Sequence, residues 1–328
     1  MPVTSVEKDL DNLTLTIVAD FAAPLQRVWD AYMDPRKIEK FWGPPEFPAT
    51  FTRHDAAAGG RTNYVMTGPD GSRHCGYWNW VSVDAPYSFE VQDGFAHPDG
   101  TPNDDMPQMR MTFVFAPTDA GSRMTTTSVF SSAEEWNTVM AMGMEEGARS
   151  AMSQIDAVLA DLAAFAATLP TDAQLLSDTQ VRVARVVRGT VDQVWRAHHE
   201  PALMQRWLLG PDGWTMPVCE VARSVGDTYR YEWEQDGGGN RFGFTGELLE
   251  SVPPRRAVTT EAMIGADYPP AVNELTLTPV EGGTLLSLVI TYADREMRDM
   301  VLATGMTTGM ETSYARLEDV LTAEPALA

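Results

Sequence analysis

Val139-Met140-Ala141-Met142-Gly143-Met144-Glu145-Glu146-Gly147 returns 162 residues later as Val301-Leu302-Ala303-Thr304-Gly305-Met306-Thr307-Thr308-Gly309. Towards the N-terminus, Val28-Trp29-Asp30-Ala31 recurs as Val194-Trp195-Arg196-Ala197, an offset of 166. Between these anchors, Phe41-Trp42-Gly43-Pro44-Pro45 is echoed by Arg206-Trp207-Leu208-Leu209-Gly210-Pro211. A nearly constant offset sustained over most of each half marks a duplicated domain. The boundary falls near Thr168-Leu169-Pro170-Thr171-Asp172, which assigns 1–168 to repeat one and 173–328 to repeat two. So short a linker, with a single Pro, predicts that domain 1 packs against domain 2 and is not strung on a flexible tether.

Each repeat reads in the same order. An alternating strand (Leu13 to Phe21; Thr179 to Val187) leads into two short helices, the first opened in repeat one by Pro24. Strands separated by turn signals follow, among them Gly68-Pro69-Asp70-Gly71 and Glu281-Gly282-Gly283. A long helix closes each repeat, introduced in repeat one by the capping box Ser132-Ala133-Glu134-Glu135. The expected class is α+β, an antiparallel sheet wrapped around a long C-terminal helix, present twice.

Composition narrows the partners. The 328 residues carry 24 basic and 46 acidic side chains, a formal charge of −22 shared as −12 and −10 by residues 1–170 and 171–328. Such a surface repels nucleic acid and anionic lipid. No apolar run approaches the roughly 18 residues of a membrane span. The N-terminus lacks the basic start and apolar stretch of a secretory signal. Two cysteines, Cys75 and Cys219, make no disulfide framework, which predicts a reducing, cytoplasmic setting. No zinc spacing occurs, so no metal is expected. GxSxG and a phosphate-binding glycine loop are also missing, and no cofactor is implied.

The motifs Ala23-Pro24, Val28-Trp29, Phe41-Trp42-Gly43-Pro44, Tyr64 to Gly71 and Gly143-Met144-Glu145-Glu146-Gly147 carry a family likeness. Repeat two matches it through Trp207, Gly210-Pro211, Pro253-Pro254 and Gly305 to Gly309. The chain resembles a tandem of the SRPBCC (START/birch-pollen-allergen-like) helix-grip superfamily, in the branch named for homology to the activator of the heat-shock-protein-90 ATPase. The likeness implies a cavity between the sheet's concave face and the long helix. It carries over no chaperone activation, because the separate chaperone-clamping domain of the eukaryotic members has no counterpart in these residues.

Strand parity then nominates the cavity lining. In repeat one Met109, Met111, Phe113 and Phe115 share the inward phase, as do Thr62, Tyr64 and Met66, then His74, Gly76 and Trp78. Thr52 and His54 are placed inward against an outward Phe51 and Arg53. Repeat two offers Asn273, Leu275 and Leu277; Tyr229, Tyr231 and Trp233; and Phe244, Gly246 and Leu248, this last set matched to His74, Gly76 and Trp78. From the closing helix come Met140 and Met144. The candidate ligand-binding set is therefore His54, Tyr64, His74, Trp78, Met111, Phe113, Met140, Met144, Tyr231, Trp233, Phe244 and Asn273. His54 and His74, whose matches Val221 and Phe244 are apolar, read either as a polar handle that moves a proton or as satisfied rim residues. The segment 93–105 reads as a solvated loop or a lid over the cavity mouth. Gly143/Gly147 and Gly305/Gly309 suggest a close approach to one helix face, by the sheet or by a ligand.

Three functions fit. The first is binding of a small apolar or aromatic molecule, mainly in domain 1. The second is a lyase- or cyclase-type enzyme with His54 and His74 as acid and base. The third is an interaction module for a chaperone or stress partner.

Overall fold

A computed structural model describes residues 2–165 and 171–323, with side chains omitted over 160–165. Thr168 to Pro170 of the expected linker lie outside the described residues. The chain divides into two compact units, Met1–Ala167 and Thr168–Ala328. Repeat one begins with strands β1 (Val3–Asp9) and β2 (Thr14–Phe21), then helices α1 (Leu25–Met33) and α2 (Pro35–Ile38). Strands β3 (Ala49–His54), β4 (Arg61–Thr67), β5 (Arg73–Asp84), β6 (Ser88–Phe95), β7 (Gln108–Thr118) and β8 (Gly121–Phe130) form the meander. Helices α3 (Ala133–Ala141) and α4 (Met144–Phe165) close it. Repeat two follows suit with β9 (Asp172–Leu175), β10 (Gln180–Val187), α5 (Val191–His199), α6 (Pro201–Trp207), β11 (Trp214–Glu220), β12 (Thr228–Gln235), β13 (Arg241–Val252), β14 (Arg256–Met263), β15 (Ala271–Val280), β16 (Gly283–Thr291), α7 (Arg295–Ala303) and α8 (Met306–Ala323).

Each repeat has one eight-stranded antiparallel sheet. Read from the meander's first strand, the order is β3-β4-β5-β6-β7-β8-β2-β1 and β11-β12-β13-β14-β15-β16-β10-β9. The edge strands β1 and β9 were not apparent in the sequence. β1 alternates poorly, with Val3 and Val6 half-buried among exposed Thr4, Ser5, Glu7 and Lys8.

The closing helix is broken in both repeats. Gly143 and Gly305 adopt φ of 85° and 80°, a left-handed conformation that ends one helix and reorients the next. A Cβ on Gly147 or Gly309 would meet nothing within 4 Å. Gly143 and Gly305 therefore mark this break, and the sheet does not approach Gly147 or Gly309 closely.

The loop after β6 lies on the sheet's outer side. Arg61 and Asn63 alternate with the inward Thr62 and Tyr64, and both donate to the Gly100 carbonyl, at 2.6 and 2.8 Å. Parity thus assigns this loop to the back of β4, which corrects the lid reading.

One buried ion pair fixes the turn between α1 and α2. Asp34 accepts the backbone N–H of Arg36 at 3.0 Å and pairs with its guanidinium at 2.8 Å, both side chains buried. Burial alone would raise the Asp34 carboxyl, but the Arg36 guanidinium and the Lys37 ammonium hold it below the ordinary carboxylate value. Arg36→Ala leaves this carboxylate buried without its main counter-charge and should cost about 3–5 kcal/mol in a urea unfolding titration at pH 7. The contribution is present above the ordinary Asp value and is lost as pH falls through the lower folded value. The wild-type and variant midpoints should therefore converge in strong acid.

Candidate functional site

In repeat one the inward face is filled by rings. Phe89 stacks on Phe113 with centroids 4.4 Å apart, and Trp80 lies 4.9 Å from Phe89. Phe51 stacks on Tyr64 at 5.4 Å, and Trp42 meets Trp78 edge-on at 4.6 Å. Trp78 is 0% exposed, and Met111 and Phe113 are buried beside it. Helix α1 adds Trp29 and Tyr32 to one continuous core. Met140 and Met144 are half-buried against that core, and Met140 also borders a surface cleft of about 370 Å³ with Lys8, Glu145 and Arg149.

A β-bulge between Phe51 and Arg53 decides the second strand. The extra residue lets both Phe51 and His54 face the core, correcting the expectation that Phe51 points outward.

The two histidines are not brought together. His54 is buried, with Nε2 3.0 Å from the Tyr32 carbonyl and Nδ1 3.0 Å from Thr62 Oγ1. The carbonyl requires an N–H at Nε2, so Nδ1 accepts from Thr62, which in turn accepts Trp80 Nε1–H at 2.9 Å. Both ring nitrogens are thus committed to the protein. His74 is exposed at the start of β5, 3.4 Å from Ser72 Oγ and edge-on to Phe47.

The polar group that does enter this core is Asp93, on β6 in phase with Phe89 and Val91. It is 8% exposed and accepts Trp78 Nε1–H at 2.7 Å and the Tyr64 hydroxyl at 3.4 Å. Sequence reading assigned it to the loop. The signal that finds it is a carboxylate in the apolar phase of a strand.

Strand pairing aligns the repeats residue by residue. Trp78 opposes Thr62 and Asp93, and a bulge follows Trp80. In repeat two the corresponding bulge follows Leu248, Gly246 opposes Tyr229, and Thr245 opposes Ala262. One step further along that ladder sets Gly246 against Glu261. Gly246 therefore corresponds to Trp78, Phe244 to Gly76 and Phe242 to His74. The sequence match was two residues out, because a bulge leaves no mark in an alternating pattern.

This alignment exposes a systematic change. Cys219 stands where repeat one has Phe51, Leu248 for Trp80, Ala257 for Phe89, Asn273 for Met111 and Leu275 for Phe113. The wall is smaller at these five positions and larger at three others, where Tyr229, Trp233 and Phe244 stand for Thr62, Met66 and Gly76. Tyr231, Phe244, Asn273 and Leu275 are only half-buried, and the core splits into two clusters. Trp233 is buried and donates Nε1–H to the Leu208 carbonyl at 2.6 Å.

Repeat two keeps the inward acid as Glu261, also missed in the sequence. Tyr229 Oη lies 3.5 Å from Glu261 Oε2 and 2.9 Å from the Thr260 carbonyl, and the Asn273 side chain also hydrogen-bonds this carboxyl. Burial raises the Glu261 pKa above the ordinary value, against the pull of Asn273 and Tyr229. Burial likewise pushes the Cys219 thiol up to about 11. His198, at the end of α5, donates to the Val194 carbonyl at 2.7 Å, and burial drives its pKa down to about 4. Among the described residues no three His, Cys, Asp or Glu side chains gather as a metal site requires. Nor is any helix among them long and apolar enough to cross a membrane.

Two successive antiparallel sheets, each followed by its closing helices, define a duplicated α+β protein of helix-grip-like form. The chain belongs to the family of Activator of Hsp90 ATPase homolog 1-like proteins, whose family model matches residues 22–160 and again 188–322. Protein Ms6760 from Mycobacterium smegmatis is 52% identical over 48% of this chain and 97% of its own, with a TM-score of 0.46. A protein from Arthrobacter aurescens is 45% identical over 48% and 92%, with a TM-score of 0.47. An AHSA1-like protein from Aeromonas hydrophila is 17% identical over 45% and 99%, with a TM-score of 0.38. None of the curated proteins compared matches the chain significantly.

Asp93 supplies a pH test of the repeat-one core. Burial lifts its carboxyl to about 7, outweighing the Trp78 and Tyr64 donors. A raised folded value favours the native state at low pH, and this advantage is lost as pH rises from the ordinary value through about 7. Asp93→Asn keeps an acceptor for Trp78 and removes the ionisation. Urea midpoints should show the variant gaining on wild type at pH 8 by an amount on the order of a few kcal/mol, with little difference at pH 4. Equal differences at both pH values would refute the assignment.

Proposed function

We propose that this chain binds a small apolar or aromatic molecule between the sheet and the closing helix, and that repeat two is the principal receptor. The observation that supports this reading most directly is the contrast between equivalent walls. Rings pack the first from edge to edge, whereas the second leaves Tyr231, Phe244, Asn273 and Leu275 half-buried on its inward face. Ligand sites combine apolar and aromatic walls with a few placed polar groups. Repeat two has both, with Glu261 and Asn273 as the polar pair. The histidine asymmetry pointed to domain 1, but His54 spends both nitrogens on the protein and His74 faces solvent. That arrangement gives the acid/base enzyme reading no geometric support.

Native mass spectrometry of the purified full chain should reveal a retained small molecule, or one apolar dye bound per chain after delipidation. Filling the wall with the residues that repeat one uses, Ala257→Phe with Leu275→Phe, should abolish dye binding and leave the fold intact by circular dichroism. Undiminished dye binding by this variant would overturn the placement in repeat two. An empty cavity together with a stoichiometric co-purifying chaperone would favour the interaction module instead.

A further inference from the structure

We infer that repeat two recognises a flat aromatic molecule carrying an N–H donor, which it presents to Glu261 and Asn273. This deepens the proposed function and rests on repeat two being the receptor.

Repeat one shows what an inward carboxylate on this strand requires. Asp93 is answered by an indole from its own chain, with Trp78 Nε1–H at 2.7 Å. In repeat two the carboxylate is retained as Glu261, but the position of that indole is held by Gly246. The partners left to Glu261 are weaker. A tyrosine hydroxyl has one proton, and Tyr229 lies closer to the Thr260 carbonyl (2.9 Å) than to Glu261 (3.5 Å). Asn273 must turn its amide N–H towards a carboxylate, which only accepts. Its Oδ1 is then a buried acceptor with no hydrogen-bond partner. Two acceptors are thus held together on an apolar wall, short of donors. Leaving such groups unmatched is costly, so the matching ligand brings N–H, and a ligand offering only acceptors is excluded.

The shape of the space sets the rest of the molecule. The ligand does not occupy Trp78's own place, because the Tyr229 ring covers Gly246. A Cβ there would fall 2.7 Å from Tyr229 Cε1 and 1.8 Å from the Thr260 carbonyl oxygen. The smaller side chains stand instead where Phe51, Phe89 and Trp80 are replaced by Cys219, Ala257 and Leu248. They share the inward wall with the aromatic Tyr231 and Phe244 and the aliphatic Leu275, a lining that suits a planar apolar body with its donor at one edge.

Calorimetric titration of the full-length chain with indole and with 1-methylindole separates donor recognition from apolar fit. Indole should bind at one site at least tenfold more tightly than 1-methylindole. Glu261→Met should remove that advantage and leave 1-methylindole affinity unchanged, which also shows that the cavity survives the substitution. Asp93→Asn, in repeat one, should alter neither. Equal affinities for the two probes in wild type, or a parallel loss of both in Glu261→Met, would overturn the inference. If neither probe binds while an apolar dye still does, the donor inference falls and the receptor reading stands. Failure of the dye as well removes both.

Discussion

A curved antiparallel sheet and a helix laid across it enclose a wedge, and what fills that wedge governs the rest of this molecule. Burial of apolar area stabilises the fold at roughly 25 cal/mol per Å², so a repeat that fills the wedge with its own side chains gains stability and loses capacity. Repeat one has taken that course. Phe51, Tyr64, Trp78, Trp80, Phe89 and Phe113 meet ring to ring, and even the buried Asp93 is answered from within. Repeat two keeps the strand order and replaces most of those rings with smaller side chains, leaving its core in two parts. Duplication thus leaves one copy with a single ring-packed core and the other with a core divided in two.

Much of the fold was legible because its signals are local. Period-two alternation put Met109, Met111, Phe113 and Phe115 on the core side, where all four are buried. The recurring motifs identified the family and the duplication, and Ser132 caps its helix by accepting the Glu135 N–H at 3.1 Å. What escaped was set by pairing between strands. The bulge at Phe51 turns that ring inward, and the bulge after Leu248 fixes a match that sequence comparison placed two residues away.

The candidate site was legible only in part for a related reason. Tyr231, Phe244 and Asn273 were nominated by parity, and the structure places them on one wall. Histidine drew attention as the versatile acid and base, yet His54 is held by the Tyr32 carbonyl and Thr62 as a structural group. Asp93 was read into the loop that follows it, and Glu261 belongs to no motif that marks it out. Their phase, shared with Phe89 and Val91 or with Ala257 and Thr259, carried the information. A charged residue in the buried phase of a strand needs a partner, and the identity of that partner is where the repeats diverge.

The break in the closing helix has a consequence for stability. In repeat two the segment before Gly305 belongs with Val181, Val183, Ile290 and Tyr292, whereas Tyr314, Leu317, Val320 and Leu321 anchor the later turns to a separate cluster. The two clusters share Leu288 and Met310, which pack partly against both. Loosening one need not dissolve the other, and local opening draws on a smaller free energy than global unfolding. Local opening at the break and thermal stability of the whole domain are therefore free to evolve separately.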